Sequence, residues 1–221
     1  MSDAQSIQLS KLHYITGKIS AALSSEIDAE VQGMLRARFK TADKYKYSLA
    51  GEIEHEYILK QSAASIERFM QDAAVSYWTG LGRIDLAFVK HVIKRASNTV
   101  DPNIKDVWVN FQKKYEYNPL HFHSGKLSFV IWHKIPYDLA RERDRASHRG
   151  ANQSAGPGTF SFTYPDLFNY GNNSINTHNI IMDKSYEGHY VLFPSFLQHS
   201  VAPFYTSNDY RISIAGNMDF E

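Results

Sequence analysis

The sequence predicts a mainly β protein with helices in its N-terminal part. Aromatic residues favour pleated, half-buried surfaces, and most of the 14 Tyr and 13 Phe lie after Lys105. The hydrophobic spacing also changes near residues 101–103, from a helical period to strand-like runs. We therefore expect a single domain over residues 1–221, with a mainly helical support in 1–100 and a β core in 101–221.

Helices are predicted at three places in the first hundred residues. Apolar residues recur at helical spacing over 24–40, and a third helix is expected over 83–96. The clearest stripe consists of Ile66, Phe69, Met70, Ala73, Ala74, Tyr77 and Trp78. Gly80 follows it, as glycine often does at the end of a helix. We expect these helices to pack on one side of a sheet.

Strands are predicted over 107–115, 127–135, 190–193 and 211–217, where apolar and aromatic residues dominate. Residues 138–158 are polar and are expected to form a surface loop. Two interpretations of this loop stay open. It is either a lid whose arginines (Arg141, Arg143, Arg145 and Arg149) contact substrate, or a solvated surface loop.

Composition excludes several classes of function. The chain has no Cys, which removes disulfides, thiolate metal sites and a cysteine nucleophile. The formal net charge is +1, with 24 basic and 23 acidic residues and no basic stripe for nucleic acid. No apolar run approaches the ~20 residues that a membrane span needs. We expect a cytoplasmic protein without nucleic-acid or membrane partners; the sequence does not indicate an oligomeric state.

Two histidine motifs and an arginine motif follow one another in the β half. His121 and His123 are two residues apart, so in a strand they would point to the same face. His199 follows an apolar run and Pro194, at the start of a further predicted strand. Neutral imidazole is the commonest metal ligand in proteins, so these residues are candidate ligands. Each motif alone is also compatible with ordinary structural histidines.

The arginine motif is Arg211-Ile212-Ser213. Arg211 and Ser213 share one face of the predicted strand, and a buried arginine needs a partner. A guanidinium fork with a hydroxyl beside it suits a ligand carboxylate. A salt-bridged arginine on an edge strand is the alternative.

The order of these motifs resembles the iron(II)/2-oxoglutarate oxygenase superfamily, and is most similar to a family of bacterial and phage oxygenases. The resemblance is carried by residues 118–125, 187–201 and 211–214, and by an early segment at 48–57. It implies a double-stranded β-helix, which is a jelly roll of cupin-like form. It also implies Fe(II) and 2-oxoglutarate as cofactors, and hydroxylation of a small molecule or peptide by dioxygen.

The resemblance assigns roles to five residues. His121 and His199 take the places of the two histidine ligands, and His123 stands where the superfamily has Asp or Glu. Arg211, helped by Ser213, takes the place of the residue that holds the distal carboxylate of 2-oxoglutarate. Replacing the carboxylate by His123 makes the site three neutral histidines and raises its charge by about one unit.

Three alternatives stay open on the sequence. The first is a cupin-type metal enzyme or dioxygenase that uses the same histidines without 2-oxoglutarate. The second is a halogenase-like register in which His123 to Gly125 resembles His-x-Gly. The third is a non-catalytic jelly roll.

Among the other candidates, His133, His148 and His189 are expected to be structural or exposed, or to contact substrate from the loop. Asn110, Tyr115 and Tyr117 are possible co-substrate contacts.

Overall fold

The computed structural model describes residues 12–45, 50–80, 107–145, 156–166 and 174–219. In these residues the chain forms two antiparallel sheets, with two long helices packed on the outer face of the larger sheet. None of the helices in these ranges is long and apolar enough to cross a membrane.

The described helices and strands follow one another in a simple order. The N-terminal part contains β1 (Ile15–Lys18), α1 (Ala21–Arg36), β2 (Glu56–Ile58) and α2 (Ala63–Gly80). The remainder contains β3 (Trp108–Gln112), β4 (Asn118–His121), β5 (Leu127–Lys134), the short helix α3 (Leu139–Arg143), β6 (Thr159–Asp166), β7 (Ser174–Ile181), a 3-10 turn (Lys184–Tyr186), β8 (His189–Pro194), β9 (Gln198–Val201) and β10 (Arg211–Met218).

The chain passes repeatedly from one sheet to the other. The larger sheet has the order β1-β8-β5-β10-β3-β2, and the smaller has the order β4-β9-β6-β7. β3 leads to β4 in the other sheet, β5 returns, and β8, β9 and β10 alternate between the two. All pairings are antiparallel. This alternation is the winding of a jelly roll.

The larger sheet has an apolar core on each side because its strands alternate. In β10, Ile212 and Ile214 face the helices, where Ile66 and Met70 of α2 are fully buried. The predicted stripe of α2 is therefore the packing face, as expected. The opposite side of the sheet packs on the smaller sheet through a second cluster, which includes Trp132, Phe160, Phe162, Val191 and Phe193. The helix predicted over 83–96 lies outside the described residues.

Some elements differ from the sequence prediction. β1 and β2 add strands to the two edges of the larger sheet, in a region predicted as helical. β6 and β7 were not predicted either. The polar stretch 138–158 is not wholly a surface loop, because it contains α3, in which Glu142 is completely buried. Its carboxylate accepts hydrogen bonds from the backbone N–H groups of Tyr205 and Thr206. Residues 146–155 lie outside the described ranges.

Glu30 joins the two helices. Its carboxylate is 6% exposed and accepts hydrogen bonds at 2.7–3.0 Å from the N–H groups of Lys60, Gln61 and Ser62 and from the Ser62 hydroxyl. The three residues that donate these N–H groups come immediately before α2. A negative charge at the N-terminus of a helix also interacts favourably with the helix dipole. Burial alone would raise the pKa of Glu30, but the hydrogen bonds outweigh burial and hold this pKa below its usual value.

We expect Glu30→Gln to lower the free energy of unfolding by about 2 kcal/mol at pH 7, because hydrogen bonds to a charged group are lost. The folded-state pKa is lowered, so this stabilisation is present above the usual pKa of 4.5 and disappears as pH falls through the lowered pKa. Urea denaturation measures both effects. Glu26→Gln, at an exposed position of the same helix, is the control. Equal stability of wild type and Glu30→Gln at pH 7 would contradict the role of Glu30.

Candidate metal and co-substrate site

Three histidines meet at the smaller sheet. His121 ends β4 and lies directly opposite His199 of β9 in the antiparallel register. Their ring centroids are 4.2 Å apart, and the ring of His123 lies 5.0 Å from each of them. One ligand nitrogen from each residue lies within 4.8 Å of the other two. The three residues that the sequence suggested as metal ligands are therefore brought together.

His123 reaches this cluster from a loop and not from a strand. β4 ends at His121, so the predicted placement of both histidines on one strand face is wrong. The backbone N–H of His123 instead donates to the Ser195 carbonyl at 2.9 Å. This hydrogen bond ties the loop to the turn between β8 and β9. The ring of His123 is consequently aimed at the cluster by an anchored loop.

Two of the rings are held in one tautomer. Nδ1 of His121 lies 2.7 Å from the Pro119 carbonyl oxygen, and Nδ1 of His199 lies 2.9 Å from that of Leu197. Because a carbonyl oxygen can only accept, Nδ1 donates in both cases and Nε2 keeps its lone pair. Metal-binding histidines are commonly oriented in this way, by a hydrogen bond from the nitrogen that does not bind the metal.

Burial keeps the three imidazoles neutral at pH 7. Loss of water, together with the neighbouring His121, lowers the pKa of His199 to about 3 and that of His123 to about 4. Burial also lowers the pKa of His121, although its hydrogen bond to Pro119 acts in the opposite direction. Since the neutral ring is the form that binds a metal, the cluster is already in its ligand state.

Arg211, at the start of β10, is a buried cation. Its side chain is 2% exposed, and within the described residues it has no carboxylate partner. Nε and Nη2 donate to Oε1 of Gln112 at 3.0 and 2.6 Å, and Nη2 also donates to the Ala202 carbonyl at 2.8 Å. Nη1 lies 3.4 Å from the Tyr137 hydroxyl. These neutral groups orient the guanidinium but leave its charge unbalanced, which favours binding of an anion.

The histidines and Arg211 line the same cavity between the sheets. Ser213, two residues further along β10, lines it as well, and its hydroxyl lies 3.4 Å from the amide nitrogen of Asn110. The apolar part of the wall includes Val130, Trp132, Phe160, Val201 and Ala215. One cavity therefore contains a cluster of neutral nitrogen ligands, a buried cation and an apolar surface.

Sequence reasoning missed the two side chains that orient Arg211. Gln112 is 4% exposed on a strand whose residues are all buried, and a polar residue in such a run is a signal that could have identified it. Tyr137 lies just after the predicted strand and gives no such signal. Of the possible co-substrate contacts, Asn110 lines the cavity. Tyr115 is 61% exposed, and Tyr117 lines a neighbouring groove.

The remaining histidines lie elsewhere. His133 bonds through Nε2 to Asp28 of α1 at 3.1 Å, on the helix side of the larger sheet. His189 is half-buried beside the Tyr186 ring, at a centroid distance of 5.2 Å. Neither lines the cavity. His148 is outside the described residues.

Comparison with protein families decides the class of the protein. Residues 106–217, about half of the chain, match the family described as "Putative 2OG-Fe(II) oxygenase". The chain belongs to the 2OG-Fe(II) oxygenases. The resemblance seen in the sequence is confirmed, and the cofactors of this oxygenase are Fe(II) and 2-oxoglutarate. The match begins after the early segment 48–57. A comparison with curated proteins found no match.

Two solved structures resemble the oxygenase in fold. A Pseudomonas putida prolyl-4-hydroxylase aligns with a TM-score of 0.51 and 11% identity, over 93% of this chain and 91% of that one. A Trichoplax adhaerens prolyl hydroxylase, in complex with a hypoxia inducible factor oxygen degradation domain peptide fragment, gives a TM-score of 0.45 and 13% identity, over 93% and 83% of the two chains. The fold is a double-stranded β-helix, as predicted.

Family membership also bears on the alternatives. It supports an enzyme that uses 2-oxoglutarate, and it favours neither a cupin-type enzyme without this co-substrate nor a non-catalytic jelly roll. The buried, unbalanced charge of Arg211 agrees with it, because a site without an anionic co-substrate would leave that charge unexplained.

We expect metal-free protein to show the Nδ1–H tautomer for His121 and His199 in long-range proton–nitrogen NMR spectra at pH 7. His199 should not take up a proton until the pH approaches about 3, because it is shielded from water. The His199→Ala variant assigns the signal. Titration of His199 close to the usual value of 6.5, or a proton on its Nε2, would contradict the geometry described above.

Proposed function

We propose that His121, His123 and His199 bind the Fe(II) of this oxygenase, and that Arg211 and Ser213 bind the distal carboxylate of 2-oxoglutarate. The observation that carries the proposal is the presence of both features in one cavity. Three convergent neutral nitrogens suit a divalent first-row metal, for which imidazole is a common ligand.

The fit to 2-oxoglutarate follows from charge and position. Arg211 is buried without a described carboxylate, and Gln112 holds its fork in place. A carboxylate that enters the cavity would balance this charge through charge-assisted hydrogen bonds. Ser213 adds a hydroxyl on the same face of β10, and it is already within 3.4 Å of the Asn110 amide. The two ends of a short dicarboxylate could thus be held at Arg211 and at the histidine cluster.

We further propose that the reaction is hydroxylation of a C–H bond in a peptide or small molecule. When bound, iron and 2-oxoglutarate supply the activation of dioxygen, with oxidation of the keto acid to succinate and carbon dioxide. The chain's own residues bind and orient the reactants. Trp132, Phe160 and Val201 line the cavity and exclude water from it.

The third ligand is where this chain departs from its superfamily. With His123 in place of a carboxylate, none of the three proposed ligands carries a negative charge, and the metal keeps its full double charge. Such a centre attracts anions more strongly than one with a carboxylate ligand, which favours binding of a dianionic co-substrate. In this chain His123 reaches the site from a loop that is anchored to Ser195, just after β4.

We expect His199→Ala and His123→Ala each to weaken anaerobic Fe(II) binding at least about 100-fold, since even loss of a group that only orients a ligand costs 10–100-fold. Isothermal calorimetry measures this. His123→Asp should restore binding, because a carboxylate is the usual third ligand of such centres. His178→Ala is the matched control, as His178 is exposed on β7 of the same sheet. Full iron affinity in His123→Ala would remove His123 from the ligand set.

We expect Arg211→Ala to weaken 2-oxoglutarate binding to the iron-loaded protein about 100-fold, and Ser213→Ala to weaken it less. The first variant loses charge-assisted hydrogen bonds and the second loses one neutral bond. Equilibrium dialysis with labelled 2-oxoglutarate measures the affinities. Because Arg211 is buried, Fe(II) binding in the same variant shows that the histidine cluster is still folded. Retention of both iron and full 2-oxoglutarate affinity would contradict the role of Arg211.

A further inference from the structure

One acidic side chain in the cavity has no part in the proposed iron and 2-oxoglutarate site. Glu56 of β2 is half-buried and lines the same cavity as the three histidines. It lies across from Asn110 of β3, which lies across from Ser213 of β10. Cross-strand partners point to the same face, and neighbouring strands are ~4.8 Å apart. Glu56 is therefore two strands away from the position proposed for the distal carboxylate of the co-substrate.

Within the described ranges, the carboxyl of Glu56 forms no ion pair and accepts no hydrogen bond. Burial, helped by the nearby charge of Glu116 and opposed by that of Lys44, raises the pKa of Glu56 to about 7. A carboxyl that is withdrawn from water without a donor is unfavourable, and a ligand that supplies a positive donor relieves this cost.

Two further acceptors in the same wall are also unpaired. Oδ1 of Asn110 and Oδ1 of Asn118 are buried, and neither has a hydrogen-bond partner among the described residues. The amide nitrogen of Asn110 is already directed at Ser213. Gly51 packs directly against the Asn118 oxygen, since an added Cβ would lie 1.8 Å from it. A ligand that satisfies this wall must bring N–H or O–H donors.

Trp108 completes this side of the cavity. It lies two residues before Asn110 on β3, lines the cavity, and is 3% exposed. An indole ring is the aromatic surface that best accommodates a cation. The wall formed by Glu56, Asn110, Asn118 and Trp108 therefore combines a negative group, two neutral acceptors and an aromatic face. None of these four residues is basic, and the one Lys or Arg among the described residues that line the cavity is Arg211, two strands away from Glu56.

We propose that Glu56 is a specificity-determining residue that binds a cationic nitrogen of the substrate, an ammonium or guanidinium group, while Asn110 and Asn118 accept further hydrogen bonds from it. This inference rests on the proposed function and names the substrate class of that site. Because Glu56 and the histidines line one cavity, the carbon chain attached to the cation lies between them. The wall discriminates against substrates whose reacting end carries a carboxylate or phosphate.

The test uses the full 221-residue chain with Fe(II) and 2-oxoglutarate. The probes are peptides Gly-Gly-X-Gly-Gly in which X is Lys, Arg, norleucine or citrulline, together with free L-lysine and L-arginine. Citrulline keeps the length of the arginine side chain and norleucine keeps the four carbons of lysine, and both remove the charge. Succinate release measures turnover, and the mass of the product shows whether an oxygen atom has been added. Glu56→Gln is compared with Glu52→Gln, an exposed position near the same strand.

We expect Lys or Arg probes to stimulate succinate release at least about tenfold more than their neutral counterparts, which is the discrimination expected of a hydrogen-bonded charge. Glu56→Gln should raise the KM for the charged probe about tenfold or more, and Glu52→Gln should not change it. If only the peptides stimulate succinate release, the substrate is a residue within a polypeptide. If only the free amino acids stimulate it, the substrate is a small molecule.

The experiment distinguishes failure of the proposed role of Glu56 from failure of the proposed function. If wild-type protein binds Fe(II) and 2-oxoglutarate but no charged probe exceeds its neutral counterpart, or if Glu56→Gln leaves the preference intact, the cation-binding role of Glu56 is overturned. If wild-type protein fails to bind the two cofactors together, the proposed function itself is overturned. Cofactor binding by both variants is measured anaerobically alongside the turnover assays.

Discussion

The antiparallel pairing of β4 with β9 places His121 opposite His199, and the rest of the site depends on it. These residues are 78 positions apart in the sequence, and only the winding of the chain between two sheets brings them together. The same pairing aligns two backbone carbonyls that fix the ring tautomers. A shift of one residue in this register would turn His199 to the opposite face of its strand and dismantle the cluster.

Burial then determines the chemistry of the cavity. The imidazoles become neutral when water is removed, which suits a metal, whereas Arg211 stays charged in the same surroundings. Glu142 helps to position Arg211 without touching it, because its hydrogen bonds with the N–H groups of Tyr205 and Thr206 hold the segment that lies between β9 and β10. A polar residue in an apparently solvated stretch is thus part of the framework that carries Arg211.

Much of the fold could be predicted, and the reasons are local. The apolar stripe of α2 and the alternation of apolar residues in β10 directly reflect which face of each element is buried. Ile66 and Ile214 were therefore correctly predicted to lie on the buried faces. β1 and β2 were missed because they are only four and three residues long and join sheet edges far away in sequence. The candidate ligands were recognised through their order along the chain, but the loop position of His123 and the role of Gln112 depend on contacts that no local pattern contains.

The most direct test of the account is anaerobic addition of Fe(II) and then 2-oxoglutarate to metal-free protein, followed by visible spectroscopy. We predict a weak metal-to-ligand charge-transfer band that requires both additions and saturates at one iron per chain, because the keto acid binds at the iron with its distal carboxylate on Arg211. If folded protein takes up iron but gives no such band in excess 2-oxoglutarate, the cavity between His199 and Arg211 is not the co-substrate site.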